Sequence, residues 1–147
     1  MKQIKQAAAA ARLLACAALL SLSTSAAQAE PSLYEQIGGE AKLRATMDEF
    51  VRVMESDDRI NFTFANTDLV KFKQLLFEQI CNITGGPCPY TGRDMKTSHE
   101  KLNVSNAQFN ALAEDLYIAL ERVHVPYRLQ NKVVVLLAPM QKDIVKR

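Results

Sequence analysis

Apolar side chains recur at helical spacing in four segments of this chain, and that spacing constrains its fold more than any other feature. Residues three and four positions apart share one face of an α-helix, whereas a half-buried strand alternates at every second residue. The pattern predicts an all-α fold in which each helix buries one face. The four stripes are Leu43, Met47, Phe50, Val51 and Met54; Leu69, Phe72, Leu76, Ile80 and Ile83; Phe109, Leu112, Leu116 and Leu120; and Leu129, Val133, Leu136, Leu137 and Met140.

Capping residues predict where the helices begin and end. Ser32 followed by Glu35, and Ser105 followed by Gln108, form capping boxes, in which each end of the pair satisfies a free backbone N–H. Glycine pairs such as Gly85-Gly86 are typical helix ends, because glycine adopts the left-handed conformation that closes a helix. Two long helices before the Gly/Pro-rich loop over 85–93 and two after it predict a two-over-two helical sandwich.

The last predicted helix runs from Val125 or Pro126 to about Val145 and contains Pro139. Proline inside a helix removes one backbone hydrogen bond, so we expect a bend there. The β-branched run over 133–135 leaves a strand as the alternative for that segment.

Residues 1–29 have the organisation of a signal peptide. Basic residues up to Arg12 precede an apolar run over 13–22, and Ala27-Gln28-Ala29 is a small-x-small cleavage pattern. The prediction is a signal peptide over 1–29 and one domain over 30–147, in the periplasm or secreted after cleavage near Ala29. Leu13-Leu14-Ala15-Cys16 also resembles a lipoprotein box, which leaves a lipid anchor on Cys16 as the alternative.

The remaining chain has no feature of a membrane span or a nucleic-acid surface. The apolar run over 13–22, about ten residues, is too short to cross the hydrocarbon core of a bilayer, and we expect no integral span after processing. Without residues 1–29 the chain carries 15 basic and 16 acidic residues, so no basic surface points to nucleic acid.

Few residues offer chemistry, and no common catalytic motif is present. The carboxylate pairs at 57–58 and 114–115 are predicted to be solvated at polar edges. Cys81 and Cys88 either form a disulfide, which would contribute about 2–3 kcal/mol, or remain two thiols. Of two histidines, His124 falls at a helix end and receives no role, whereas His99 follows a flexible loop beside an apolar helix. A neutral imidazole in such surroundings suits an axial haem ligand.

Four ordered motifs resemble group 1 truncated haemoglobins over roughly residues 32–140. They are the opening Ser32-Leu33-Tyr34-Glu35-Gln36-Ile37-Gly38-Gly39, the corner Phe64-Ala65-Asn66-Thr67-Asp68, the loop Gly85-Gly86-Pro87 with Pro89-Tyr90-Thr91-Gly92, and Met95-Lys96-x-x-His99. The resemblance implies a truncated globin fold and haem b as cofactor. It implies His99 as the proximal ligand to the iron. It also implies that five side chains lie around the haem: Phe64, Phe72, Leu76, Tyr90 and Met95. Lys96 and Arg93 are the candidates to neutralise the haem propionates.

Two positions depart from the family pattern on the distal side. Family members often carry a tyrosine just after a phenylalanine of the first long helix, and here Val51 follows Phe50. A glutamine common in the distal helix is replaced by Leu76. Since a hydrogen bond to bound O₂ is worth about 1 kcal/mol or more in a dry pocket, we expect faster O₂ release and easier autoxidation. The alternative is that Tyr34 or Gln79 turns toward the gas and supplies the missing donor.

The resemblance implies a haem protein that reversibly binds a diatomic gas: O₂, NO or CO. The alternative is a haem enzyme of the envelope, either peroxidase-like or a nitric oxide dioxygenase supplied by an electron-donating reductase. A haem-free helical module that binds a partner is a third interpretation. The identity of the physiological gas stays open at this level.

Overall fold

The computed structural model describes residues 30–146, so the predicted signal peptide and Cys16 lie outside the described part. Seven α-helices follow one another in this range, with 3₁₀ turns at Asn61–Phe64 and Ala138–Met140. The helices are α1 (Leu33–Ile37), α2 (Gly39–Ser56), α3 (Leu69–Ile83), α4 (Met95–His99), α5 (Asn106–Arg122), α6 (Tyr127–Leu137) and α7 (Gln141–Ile144).

Helix α2 is the centre of the packing. It lies against both α3 and α5, and α5 in turn packs on α6. The pairs α2/α3 and α5/α6 form the two layers, which confirms the all-α, two-over-two prediction. Among residues 30–146 the only strand-like pairing is an isolated bridge between Val104 and Val145. The strand alternative for 133–135 is therefore wrong.

Both predicted capping boxes are present. The Ser32 hydroxyl accepts from the Glu35 backbone N–H, and the Ser105 hydroxyl accepts from that of Gln108. Gly38 ends α1 with a φ of 117°, a left-handed conformation that favours glycine. The backbone turns there so that α2 begins at the next residue.

The C-terminal segment is three pieces rather than one bent helix. Helix α6 ends at Leu137, and Pro139 lies in a 3₁₀ turn before α7. The missing N–H of proline explains the break. Leu136, which the stripe placed inward, is 40% exposed, whereas Val134 and Leu137 of the same turn pack against the main core.

A disulfide joins Cys81, at the end of α3, to Cys88 in the following loop. The structure thus decides between the two states that the spacing left open. Cys81 is fully buried in the main core, and Cys88 packs against that core from the loop. No helix among the described residues has both the length and the hydropathy needed to cross a bilayer.

The prediction that the carboxylates at 114–115 are both solvated is wrong for Asp115. This residue of α5 is 1% exposed, and its Oδ2 atom has no hydrogen-bond partner in the described chain. The nearest cation is Arg59, whose Nη2 lies 4.0 Å from Asp115 Oδ1 and 2.8 Å from Asp57 Oδ2. Burial, then the adjacent Asp57 carboxylate, raises the pKa of Asp115 to about 6.

We expect Asp115→Asn to stabilise the protein more at pH 8 than at pH 5. The folded pKa of Asp115, about 6, lies above the unfolded value of about 3.9. Folding therefore takes up a proton at pH values between these two pKa values. The contribution of this carboxyl is favourable at low pH and is lost as pH rises through about 6. Asparagine imitates the protonated form at every pH.

The measurement is the urea-unfolding free energy of both proteins from pH 5 to pH 8. Glu114→Gln is the matched control, because Glu114 is the exposed neighbour that also contacts Arg59. Parallel pH profiles for Asp115→Asn and the unchanged protein would contradict the assignment.

Candidate functional site

Helix α4, which carries His99, is short and held at its first turn. The Asp94 carboxylate accepts from the Thr97 backbone N–H at 2.9 Å and so caps the helix. The side chain and the backbone N–H of Thr97 both favour the ionised form of Asp94, and they keep the pKa of this carboxyl below its usual range. Helix α4 packs on α7, so the C-terminal segment supports it from the other side.

The geometry of His99 leaves one ring nitrogen available for a ligand bond. Nδ1 lies 2.8 Å from the backbone carbonyl oxygen of Met95. Because a carbonyl only accepts, Nδ1 of the neutral ring carries the proton and Nε2 keeps its lone pair. The ring is half-buried, and Nε2 has no hydrogen-bond partner in the range that the structure describes. A hydrogen bond of this kind at Nδ1 orients the ring of a metal-binding histidine.

The structure brings Phe64 and Phe72 together beside α2. Their ring centroids are 5.2 Å apart, tilted by 48°. Both pack against a small buried cluster that includes Val51, and both remain partly exposed. Phe50 lies in the other, larger core cluster. Of these two neighbours on α2, only Val51 therefore faces the Phe64–Phe72 pair.

Leu76 lies on the stripe of α3 that carries Phe72, four residues further on. It is half-buried and packs against the main core cluster. Its neighbour one turn on is Gln79, one of the two residues that the sequence left as a possible substitute donor. Gln79 is only 8% exposed, and its Nε2 lies 3.4 Å from Met95 Sδ and 3.5 Å from Met140 Sδ.

Gln79 is a polar residue on the apolar face of α3, and its amide is directed to two methionine sulfur atoms. A thioether is a weak acceptor, so this buried amide is poorly satisfied by its two methionine partners. Gln79 connects the face of α3 to Met95 at the start of α4 and to Met140 before α7. Gln79 therefore links α3, on one side of the candidate site, to the start of α4 on the other.

The loop residues before α4 make mainly local contacts. The Tyr90 hydroxyl donates to the Arg93 carbonyl at 2.8 Å, and burial, ahead of nearby carboxylates, raises the pKa of Tyr90. A Cβ on Gly92 would come 2.4 Å from Tyr90 Cζ, so glycine is required for the ring to lie there. Lys96 and Arg93 are exposed. Their roles, like those of Phe64, Phe72, Leu76, Tyr90 and Met95 toward a cofactor, stay predictions.

A cleft of 260 Å³ opens elsewhere, on the side of α3 that faces α1. We call it the Cys88 cleft; its lining includes Tyr34, Arg44, Phe77, Cys88 and Pro89. None of the predicted cofactor residues borders it. His124 is exposed after α5 with a φ of 59°, which agrees with a position at a helix end.

The donor set suits a prosthetic group better than a bare ion. No group of three or more His, Cys, Asp or Glu side chains within residues 30–146 is arranged to hold a metal. A single free imidazole nitrogen on α4, which Met95 and Gln79 connect to α3, would suit one bond to the iron of a prosthetic group. The fold and the site together define a small globin of the truncated, two-over-two type.

Comparison with known proteins agrees with this class. The family model described as "Bacterial-like globin" matches residues 32–146. A group 1 truncated hemoglobin from Mycolicibacterium paratuberculosis is 32% identical over 119 residues, which cover 80% of this chain and 87% of that protein. The chain belongs to the bacterial-like globin family and, within it, to the group 1 truncated haemoglobins.

Solved structures show the same architecture. The Fe(III) form of truncated hemoglobin from Tetrahymena pyriformis matches with a TM-score of 0.77 at 26% identity, covering 80% of this chain and all of that one. The 2/2 hemoglobin from Synechococcus, solved in the cyanomet state with covalently attached heme, matches at 30% identity with a TM-score of 0.74 over the same shares. The truncated-globin fold predicted from the sequence is confirmed.

We expect Asp94→Ala to loosen α4, because it removes the cap of the helix that presents His99. The expected result is faster hydrogen exchange at the Thr97 and Ser98 amides, with little change in α5. Asp94→Asn retains a capping oxygen and should stay close to the unchanged protein. Asp143→Ala, in the first turn of α7, is the control for loss of one surface charge. Equal protection in Asp94→Ala and the unchanged protein would contradict the cap assignment.

Proposed function

We propose that this globin holds haem b through His99 and reversibly binds a diatomic gas, O₂, NO or CO, on the opposite face of the haem. The observation that carries the proposal is the free Nε2 of a half-buried histidine whose Nδ1 is committed to the Met95 carbonyl. A hydrogen bond at Nδ1 fixes the tautomer and the ring direction, and it makes Nε2 a better ligand.

The surroundings of α3 fit a flat apolar group. Phe64, Phe72, Leu76 and Met95 are all apolar and all half-buried, so the protein alone leaves this surface incompletely covered. Burying apolar area contributes roughly 25 cal/mol per Å², which favours filling such a surface with a porphyrin. When bound, the haem supplies an iron with a coordination position open to a gas.

The charged edge of the group has candidate partners in the loop before α4. Lys96 and Arg93 are exposed cations near the His99 end, and charge-assisted bonds to carboxylates are the strong kind. We assign them to the propionates. Tyr90, held by its bond to the Arg93 carbonyl, keeps this loop in shape.

The distal side is assigned to Val51, Phe72 and Leu76, and none of them donates a hydrogen bond. We therefore propose that O₂ is released faster than from globins with a distal hydroxyl or amide donor. A peroxidase-like role is less well supported, since it calls for a distal acid-base residue. The second histidine, His124, is exposed beyond the end of α5.

We further propose export of the mature chain to the periplasm or the medium. The support is the signal-peptide pattern over 1–29 together with the disulfide, because such bonds persist in oxidising compartments. An electron-donating reductase as partner stays a prediction from the sequence.

His99→Ala should abolish stable haem binding, because no other described side chain presents a free imidazole nitrogen at the site. The measurement is the absorption spectrum of the protein with one equivalent of haemin, before and after reduction and addition of CO. We expect a sharp Soret band that shifts with CO in the unchanged protein. His124→Ala is the matched control and should keep that spectrum. A normal haem spectrum in His99→Ala would contradict the proximal assignment.

Val51→Tyr should slow O₂ dissociation about fivefold or more, since a hydroxyl hydrogen bond in a dry pocket is worth about 1 kcal/mol or more. The measurement is the O₂ dissociation rate of the reduced holoprotein by stopped flow. Val51→Phe adds the same ring without the hydroxyl and should not reproduce the slowing. Identical rates in Val51→Tyr and Val51→Phe would show that residue 51 does not face the gas.

A further inference from the structure

We propose that the Cys81–Cys88 disulfide is a redox-sensitive control of haem retention, opened by attack of an external thiol at Cys88. The proposal rests on the proposed haem function and names a regulation of that site. It depends on where the two cysteines lie: one in the core at the end of α3, the other in the segment that leads to α4 and His99.

The segment between α3 and α4 is tied to α3 along one side. The Cys88 carbonyl accepts from Asn82 Nδ2 at 3.1 Å. The Glu78 carboxylate accepts from both the backbone N–H and the hydroxyl of Thr91, at 3.0 and 2.6 Å. These contacts are at the surface, where single hydrogen bonds contribute little. Besides the backbone itself, the disulfide is the one covalent cross-link between α3 and this segment in the described chain.

The two sulfur atoms differ in access. Cys81 is fully buried in the main core, and a Cβ on Gly86 would come 2.6 Å from its Sγ, so the backbone closes over this atom. Cys88 is half-buried and borders the Cys88 cleft, beside Tyr34 and Pro89. An incoming thiolate therefore reaches Cys88 and not Cys81.

The chemistry is a two-step thiol–disulfide exchange. A thiolate attacks Cys88 Sγ and forms a mixed disulfide, while the electron pair of the broken bond stays on Cys81 Sγ. That sulfur takes up a proton, because the apolar core does not stabilise a buried anion. A second thiol then releases Cys88 as a thiol, and the two external thiols leave as their own disulfide. The protein gains two electrons and two protons.

Opening the bond leaves α4 connected to α3 by the backbone and by non-covalent contacts, without the cross-link at residues 81 and 88. The chain between α3 and α4 then samples more conformations, because the disulfide no longer closes the loop between residues 81 and 88. His99 keeps its bond to Met95 within α4, and α4 keeps its contact with α7. The expected consequence is faster haem loss from a protein that remains folded.

The test is haem transfer from the ferric holoprotein to excess apomyoglobin, followed at the Soret band. All proteins carry Cys16→Ser, so that Cys81 and Cys88 supply the only thiols of the chain. We expect dithiothreitol or glutathione to speed haem loss about fivefold to tenfold, a fraction of the effect of closing the loop. Reoxidation should restore the slow rate, and a thiol count before and after should change by two.

Two variants separate this effect from others. Cys81→Ala/Cys88→Ser should lose haem at the fast rate with or without reductant, which also shows that added thiols do not act on the iron. Alanine at 81 avoids burying a hydroxyl without a partner. Val125→Ala weakens the same main core from the α5–α6 connection without touching the disulfide or the α3–α4 segment, so it measures what general destabilisation does to haem loss.

The outcomes distinguish the two proposals. An unchanged haem-loss rate in the opened protein, or acceleration no larger than in Val125→Ala at equal loss of stability, overturns the redox control and leaves haem binding intact. Absence of any haem spectrum in the oxidised protein overturns the proposed function and this inference with it. Fast, reversible loss only when the disulfide is open supports the control.

Discussion

The burial of α2 on two sides is the constraint on which the rest of this globin depends. Leu43, Met47 and Phe50 enter the main core, whereas Val51 and Met54 enter the second cluster beside Phe64 and Phe72. A helix covered on more than one face fixes its neighbours in direction as well as in distance, because side chains interdigitate at close-packed density. Helix α3 and helix α5 are thereby placed on either side of it, and the candidate site is built from what they leave partly exposed.

The candidate site depends on a few polar contacts at or near the ends of helices. Asp94 caps α4, the Met95 carbonyl holds Nδ1 of His99, and Gln79 connects α3 to the two methionines. Each of these contacts involves α4 or its cap, and α4 has too few residues to bury a face of its own. The five-residue helix that carries His99 therefore takes its position from its surroundings, which is consistent with a histidine presented to a ligand by the fold.

The same frame explains why the disulfide and the buried Asp115 lie where they do. Each lies where a connecting segment meets a long helix, Cys81 at the end of α3 beside the 85–93 loop and Asp115 in the middle of α5 facing Arg59 of the corner after α2. The disulfide in the first case, and the Asp57–Arg59–Asp115 charges in the second, couple that segment to the helix layer. Conditions outside the protein, thiol concentration in one case and pH in the other, thereby act on elements next to the candidate site.

The sequence by itself determined the long helices, the two capping boxes and the family, since period, capping boxes and ordered motifs are local properties of the chain. It also selected His99 and placed Val51 and Leu76 at the positions where the family carries donors. It did not show that the last predicted helix is divided at Pro139. Only the tertiary structure decided that Cys81 and Cys88 are joined, that Asp115 is buried, that Leu136 is exposed and that Gln79 lies between Met95 and Met140. These four are questions of which distant surfaces meet. The spacing of residues along a helix fixes a direction, but burial and partners depend on the neighbouring element that the direction faces.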